Sequence, residues 1–159
     1  MDFDNMLSRA QRLCSKSEKC EADLRKKLYQ WDASEEEMEK VICSLKEYGF
    51  INHQRYARSF ANDKLKFNHW GKKKIEYALR TKNIEAEYIQ EALNGISEKE
   101  YERILYEEIE KKNNSLKIPD KNERKNKICN YLLRKGFESG KVFEFVDNKL
   151  SGETDNNMD

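Results

Sequence analysis

Nine basic and only two acidic side chains fall within residues 55–82, and three of the nine, Lys72, Lys73 and Lys74, directly follow Gly71 where a helix is expected to start. A helix start presents unbonded amides at the positive end of the dipole, so acids, Ser or Thr normally stand there. Each exposed cation is disfavoured by roughly 0.3–1 kcal/mol at low salt, and three in a row repel one another. A phosphate held at the amides would reverse both effects; a solvated lysine cluster screened by salt is the plainer alternative. In the preceding segment Arg55, Arg58, Asn62 and Lys66 fall within about 80° on a helical wheel. Tyr56, Ala57, Phe60, Ala61 and Phe67 occupy the other side, so the basic stripe faces outward. Lys73, Tyr77 and Arg80 follow at i, i+4 and i+7, away from Ile75 and Leu79. A polar face with an aromatic inside it suits phosphates plus a base or ribose contact, although Tyr77 equally suits half-buried packing. Phe67 and Trp70 read as aromatics that pin a loop to the core. A lesser basic face carries Lys127 and Arg134, with Asn130 and Tyr131 between them and Arg124 and Lys125 near its start.

Catalytic chemistry has little to build on. There is no P-loop, Gly-rich dinucleotide turn, HExxH or GxSxG, and the acidic run "SEEEME" at 34–39 is what a helix start requires, with Ser34 as cap and Glu37 completing a capping box. His53 and His69 each adjoin Asn in expected loops, where local capping is the ordinary role. The four cysteines, Cys14, Cys20, Cys43 and Cys129, contain no CxxC pair. Cys14, Cys43 and Cys129 sit beside Leu or Ile as small buried hydrophobes do. A zinc site from Cys14, Cys20 and a distant His has spacing that matches no ribbon or finger. Neither a cofactor nor a metal is expected, and the chain does not read as an enzyme.

The elements that position these residues are helical. The chain of 159 residues is 37% hydrophobic and 38% charged, with one Pro and six Gly, which argues against one large core and against turn-rich β structure. No apolar run reaches the length of a membrane span and no signal-peptide pattern opens the chain, so a soluble, cytoplasmic protein is expected. Its net charge of +1 conceals segments of opposite sign. Residues 1–54 are net −2, 55–82 net +7, 83–114 net −5, 119–141 net +4 and 142–159 net −4. Periodicity gives about nine helices and no strand, near 4–16, 20–31, 34–48, 53–67, 72–82, 85–94, 98–113, 121–135 and 139–149.

Grouped in threes, the helices repeat. Leu24, Ile75 and Ile128 correspond, as do Leu28, Leu79 and Leu132, Met38, Ile89 and Val142, and Ile42, Leu93 and Val146, at offsets of 51 and then 53. The turns "WDAS", "KNIE" and "KGFE" recur between the second and third helices. An all-α protein of three tandem three-helix repeats is expected, at 1–51, 52–96 and 97–150, stacked into an elongated, curved array with shared burial. Pro119 and the adjacent Asn113 and Asn114 mark a loop inserted in the third repeat; "MDFDN" is expected to fray and the acidic tail 151–159 to be disordered. The second helix opens with acids in the first repeat ("CEAD") and the third ("PDKNE"), and with lysines only in the second.

"GFINHQRYARSFANDKLKFNHWGKKKIEYALRTKNI" and "RKNKICNYLLRKGF" resemble the RecX regulatory proteins of bacteria, modulators of the RecA recombinase. "RAQRLCSKSEKCEADLRKKL" is similar to the family's opening segment and its "S-x-x-E-L-x-x-K-L" core, here Cys20, Asp23, Leu24, Lys27 and Leu28. The resemblance spans roughly residues 7–149 and is most specific in "RYARSF…GKKKIEYALR". Cys20 and Asp23 depart from the commoner Ser and Glu, and Asn52, His53 and Gln54 stand where the family usually has acids.

The resemblance implies tandem three-helix units and a non-catalytic regulator. Such a regulator binds the RecA–DNA filament, lowers strand exchange, ATP turnover and SOS co-protease activity, and also binds single- or double-stranded DNA. A monomer with no membrane partner is the default expectation. The rivals are a stand-alone DNA-binding array of helix-turn-helix-like units, opposed by the three non-identical repeats and the lack of a dimer seam, and a purely protein-binding array. If five or six of Arg55, Arg58, Lys66, Lys72, Lys73, Lys74 and Arg80 touch single-strand phosphates, log K should fall against log salt with a slope of about −4. A titration of oligonucleotide binding that is flat in salt would remove the DNA contact.

Overall fold

The computed structural model describes residues 1–154. Among the described residues the chain forms nine helices and no strand: α1 (Phe3–Lys16), α2 (Glu21–Gln30), α3 (Glu35–Glu47), α4 (His53–Asn68), α5 (Lys72–Thr81), α6 (Ala86–Asn94), α7 (Glu98–Ser115), α8 (Lys121–Arg134) and α9 (Ser139–Thr154). They make three tandem three-helix repeats, α1–α3, α4–α6 and α7–α9.

The repeat extends to individual hydrogen bonds. After α2, α5 and α8 the chain reverses through a residue at positive φ: Asp32 (60°), Asn83 (59°) and Gly136 (96°). In each turn the next amide reaches back to the same carbonyl position, Ala33 to Leu28, Ile84 to Leu79 and Phe137 to Leu132, at 3.0, 3.2 and 3.2 Å. These are helix C-terminal caps that use one left-handed residue to occupy otherwise orphaned carbonyls. Asp and Asn tolerate that conformation better than most residues, and Gly136 adopts it freely.

By packing the chain divides into two compact units. One comprises Met1–Phe60 and Ala78–Ala92; the other comprises Ala61–Tyr77 and the described residues from Leu93 onward. In the first, α3 packs on both α1 and α2. Met6, Ala10, Leu24, Leu28, Met38, Val41, Ile42, Leu45 and Ile51 form its core, with Phe3, Leu7, Cys14 and Trp31 packed against it. In the second, α7, α8 and α9 pack on one another, burying Tyr101, Ile104, Leu105, Ile109, Ile128, Leu132, Phe137, Val142 and Val146.

Several expectations are corrected. The N-terminus does not fray: Asp2 caps α1, accepting from the Asn5 amide at 2.9 Å. Residues 151–154 of the expected disordered tail belong to α9, and residues 155–159 lie outside the described residues. The inserted loop is shorter than expected, because α7 continues through Asn113 and Asn114 to Ser115. Cys43 is exposed, whereas Cys20 and Cys129 are buried and Cys14 is half-buried. Cys43 follows Val41 and Ile42 in sequence, but at 100° per residue it falls on the side of α3 away from the buried Met38, Val41, Ile42 and Leu45.

The expected capping box of α3 is present, with Glu37 N donating to Ser34 Oγ at 3.1 Å and Ser34 N donating to Glu37 Oε1 at 3.0 Å. Ser34→Ala should lower stability by about 1 kcal/mol, measured as a shift in the urea midpoint at unchanged m-value.

Candidate nucleic-acid interface

The start of α5 is built against the end of α8. Gly71 N donates to the Lys135 carbonyl at 2.7 Å and Lys73 N to the Gly136 carbonyl at 3.0 Å. Lys72 N donates to the Tyr101 hydroxyl at 2.9 Å, and that hydroxyl donates to Glu138 Oε1 at 2.6 Å. Burial foremost, together with the Glu138 carboxylate, pushes the Tyr101 phenol up, so it stays protonated as this relay requires. A Cβ on Gly71 would lie 2.2 Å from backbone atoms of Gly136 and Phe137, so only glycine allows the approach. These contacts correct the sequence expectation of a phosphate at the amides: the amides of Gly71, Lys72 and Lys73 are already occupied. The carbonyl end of α8 supplies the negative partner that an acid supplies in the other repeats.

What this start offers is side chains. Lys72 Nζ sits 4.9 Å from the centre of the Tyr101 ring and 4.0 Å from Glu98 Oε2. Lys74 and Lys64 place their ammonium groups 4.5 and 4.9 Å from the Trp70 ring. These cation–π contacts orient the lysines. Lys73 is exposed, as are Lys66, Phe67, Tyr77 and Arg80. Phe67 is 79% and Tyr77 71% exposed, so the expectation that Phe67 pins the loop is corrected; Trp70, half-buried between two lysines, fits it better.

Beneath this surface lies Glu108, 2% exposed and the only buried charged side chain among the described residues. It faces His69 Nδ1 at 2.5 Å, accepts from the Tyr131 hydroxyl at 2.9 Å and lies 3.7 Å from Lys135 Nζ. Burial alone would raise its carboxyl, but the hydrogen bonds from His69 and Tyr131 and the Lys135 charge outweigh it and hold the group below the usual range. Burial and the adjacent carboxylate push the Tyr131 phenol up to about 12. Glu108 joins the loop after α4 to the last turns of α8, and His69 takes positive φ (54°) to reach it. The expected local capping role of His69 is thus replaced by a long-range tether. A signal was present in the sequence: Glu108 occupies a core register of α7, following Ile104 and Leu105 and preceding Ile109.

The first compact unit treats its cations differently. Arg55 donates to Glu18 Oε1 at 2.5 Å and to the Gly49 carbonyl at 2.9 Å. Arg58 pairs with Glu91, which Gln54 also contacts at 2.7 Å. His53 is likewise a tether, accepting from the Glu21 amide through Nε2 at 3.1 Å while Nδ1 faces Glu85 at 3.1 Å. The amide contact assigns the ring proton to Nδ1. On α8, Arg124 closes the preceding loop by donating to Asn113 Oδ1 at 2.9 Å and the Ile118 carbonyl at 3.0 Å. Lys127 and Arg134 are exposed, with Arg134 Nε 3.4 Å from the Asn130 carbonyl. Among the described residues no group of three His, Cys, Asp or Glu side chains could hold a metal ion, and no helix is long and apolar enough to cross a membrane.

Because the Glu108 carboxyl is held low in the folded state, its contribution is fully present above the unfolded value of about 4.3 and is lost as pH falls through the folded value. Glu108→Gln should cost about 1–3 kcal/mol at neutral pH and flatten the loss of stability on acidification. Urea melts at neutral pH and below about pH 4 measure both effects.

Two family descriptions match the chain, "RecX, second three-helix domain" over residues 52–93 and "RecX, third three-helix domain" over residues 99–146. The "Regulatory protein RecX" of Clostridium acetobutylicum is 33% identical over 153 residues, covering 92% of this chain and 71% of that protein. The protein of the same name from Clostridium perfringens strain 13 is 31% identical over 139 residues, covering 86% of this chain; the chain spans 65% of that relative's length. A crystal structure of regulatory protein RecX superposes with a TM-score of 0.82 at 25% identity, over 92% of this chain and 71% of that one. With the described residues forming nine helices in three repeats and relatives matched across most of its length, this chain belongs to the RecX family of regulatory proteins.

Proposed function

We propose that the chain regulates homologous recombination by binding the RecA–DNA filament and lowering strand exchange, ATP hydrolysis and the co-protease activity that triggers the SOS response. Membership of the RecX family is the observation that carries this reading. The protein acts without chemistry of its own, as a cytoplasmic monomer of three repeats bounded near residues 51 and 96. Its partners are the recombinase filament and single- or double-stranded DNA.

The exposed cations and aromatics support a filament-facing role for the second repeat. Lys66, Lys73 and Tyr77 present charge and a ring to solvent, and Lys72 and Lys74 stand beside them on aromatic supports. Arg80, Lys127 and Arg134 extend the set. Arg55, Arg58 and Arg124 complete the set, each already engaged by Glu18, Glu91 or the loop before α8. Contact with an exposed phosphate would require Arg55 or Arg58 to exchange a carboxylate for it, which reduces the net gain.

Added at saturation to preformed recombinase filaments on single-stranded DNA, the chain should lower ATP hydrolysis. Turnover that is unchanged while co-sedimentation shows the chain bound would overturn the inhibitor reading, and absence of binding would overturn the filament reading.

A further inference from the structure

A second basic feature lies in the first compact unit. α1 and the end of α2 enclose a cleft of about 250 Å³ lined by Arg9, Arg12, Leu13, Lys16, Lys27 and Trp31. Arg9, Arg12 and Lys16 follow one another at i, i+3 and i+7, so they form one row about 10 Å long on α1. Met6 and Ala10, about 100° round that helix from the row, are buried in the core. Lys27 projects from α2, and all four cations are exposed. No carboxylate lines the cleft. Among the described residues none of the four forms an ion pair: Arg9 meets only the Met1 sulfur at 4.0 Å and the Trp31 ring at 4.8 Å. This is the reverse of Arg55 and Arg58 in the same unit, which are matched by Glu18 and Glu91.

Charge complementarity to the ends of the helices explains part of this. Lys16 lies in the last turn of α1 and Lys27 in the last turn of α2, where cations are favoured. It does not explain Arg9 and Arg12, which lie earlier in α1. The guanidinium of Arg9 rests on Trp31 at 4.8 Å, which restricts it at the cleft.

We propose that this cleft binds the phosphate groups of a nucleic-acid strand. Arg9 and Arg12 supply forked donors to phosphate oxygens, and Lys16 and Lys27 supply point charges at the ends of the row. Trp31 offers an aromatic edge for a sugar or base, a contact that an acidic polypeptide does not need. The site is separate from the α4–α5 surface and does not rest on the reading of that surface.

The test uses the full chain, a fluorescein-labelled oligothymidylate and anisotropy titrations over a range of KCl concentrations. Arg12→Gln with Lys16→Gln should weaken binding about tenfold and make the log–log salt slope shallower by about 1.4, the share of two single-strand phosphates. In a Trp70→Phe background, oligonucleotide should quench the emission of Trp31. Unchanged affinity and slope in the R12Q/K16Q variant, with unchanged far-UV circular dichroism, would overturn the site. So would displacement of the oligonucleotide by poly-glutamate at equal charge concentration without quenching of Trp31, which would mark an acidic protein surface as the occupant. A Lys66→Gln, Lys73→Gln variant separates the two surfaces: loss of binding confined to it would sink the cleft while leaving the α4–α5 reading in place.

Discussion

The end of α8 meets the start of α5 through backbone groups, and much of the second compact unit is arranged around that contact. Two carbonyls at the negative end of one helix accept from two amides at the positive end of the other, so these two amides are satisfied by backbone rather than by an acidic side chain. The geometry leaves no space for a Cβ at Gly71, and Gly136 is confined in the same way by Lys74 at 2.4 Å. Tyr101 completes the cap by offering its hydroxyl to Lys72 N. Glu108 then fixes the approach from behind, holding His69 before α5 and Tyr131 and Lys135 at the end of α8.

This contact resolves the misfit of three lysines at a helix start. The positive end of α5 has its negative partner in backbone, and acidic side chains are not needed there. The lysines spread away from one another onto separate supports, Lys72 toward Tyr101 and Glu98, Lys74 toward Trp70, and Lys73 into solvent. Removing the amides as an anion site also changes what the segment can bind. It offers flexible or ring-supported ammonium groups in place of a fixed cradle of N–H donors, which favours contact with a repeating backbone over a snug site for a single phosphate.

The first compact unit uses the same plan with different chemistry. The first amide of α2, Glu21 N, is satisfied by His53 from the first helix of the following repeat, as Lys72 N is satisfied by Tyr101 from the first helix of the third. Lys82, at the end of α5, reaches Asp23 in the first turn of α2 at 2.6 Å. Lys135, its counterpart after α8, brings its carbonyl to Gly71 at the start of α5. A side-chain ion pair in one unit thus corresponds to a backbone hydrogen bond in the other. That difference accounts for the sequence contrast: α2 keeps acids in its first turn because a lysine meets it, and α5 needs none because carbonyls do.

Apolar periodicity made the helices and their threefold repeat legible, because Leu24, Ile75 and Ile128 and their companions mark the buried stripe directly. The αL turns were legible too, as aligned short motifs. Contacts between residues distant in sequence were not, since nothing local to His53, His69 or Arg58 names Glu85, Glu108 or Glu91 as partner. This is why the α4 stripe read as uniformly available when two of its arginines are internally paired. The same gap concealed Arg9, Arg12, Lys16 and Lys27. Segment 1–54 is net negative, yet its acids are drawn to other partners: Glu21 to Arg25 and Lys46, Glu39 to Arg25, and Glu18 to Arg55. Net charge along the chain therefore does not report which cations are available, because a cation's capacity to bind an outside anion depends on whether folding has already supplied it with a carboxylate.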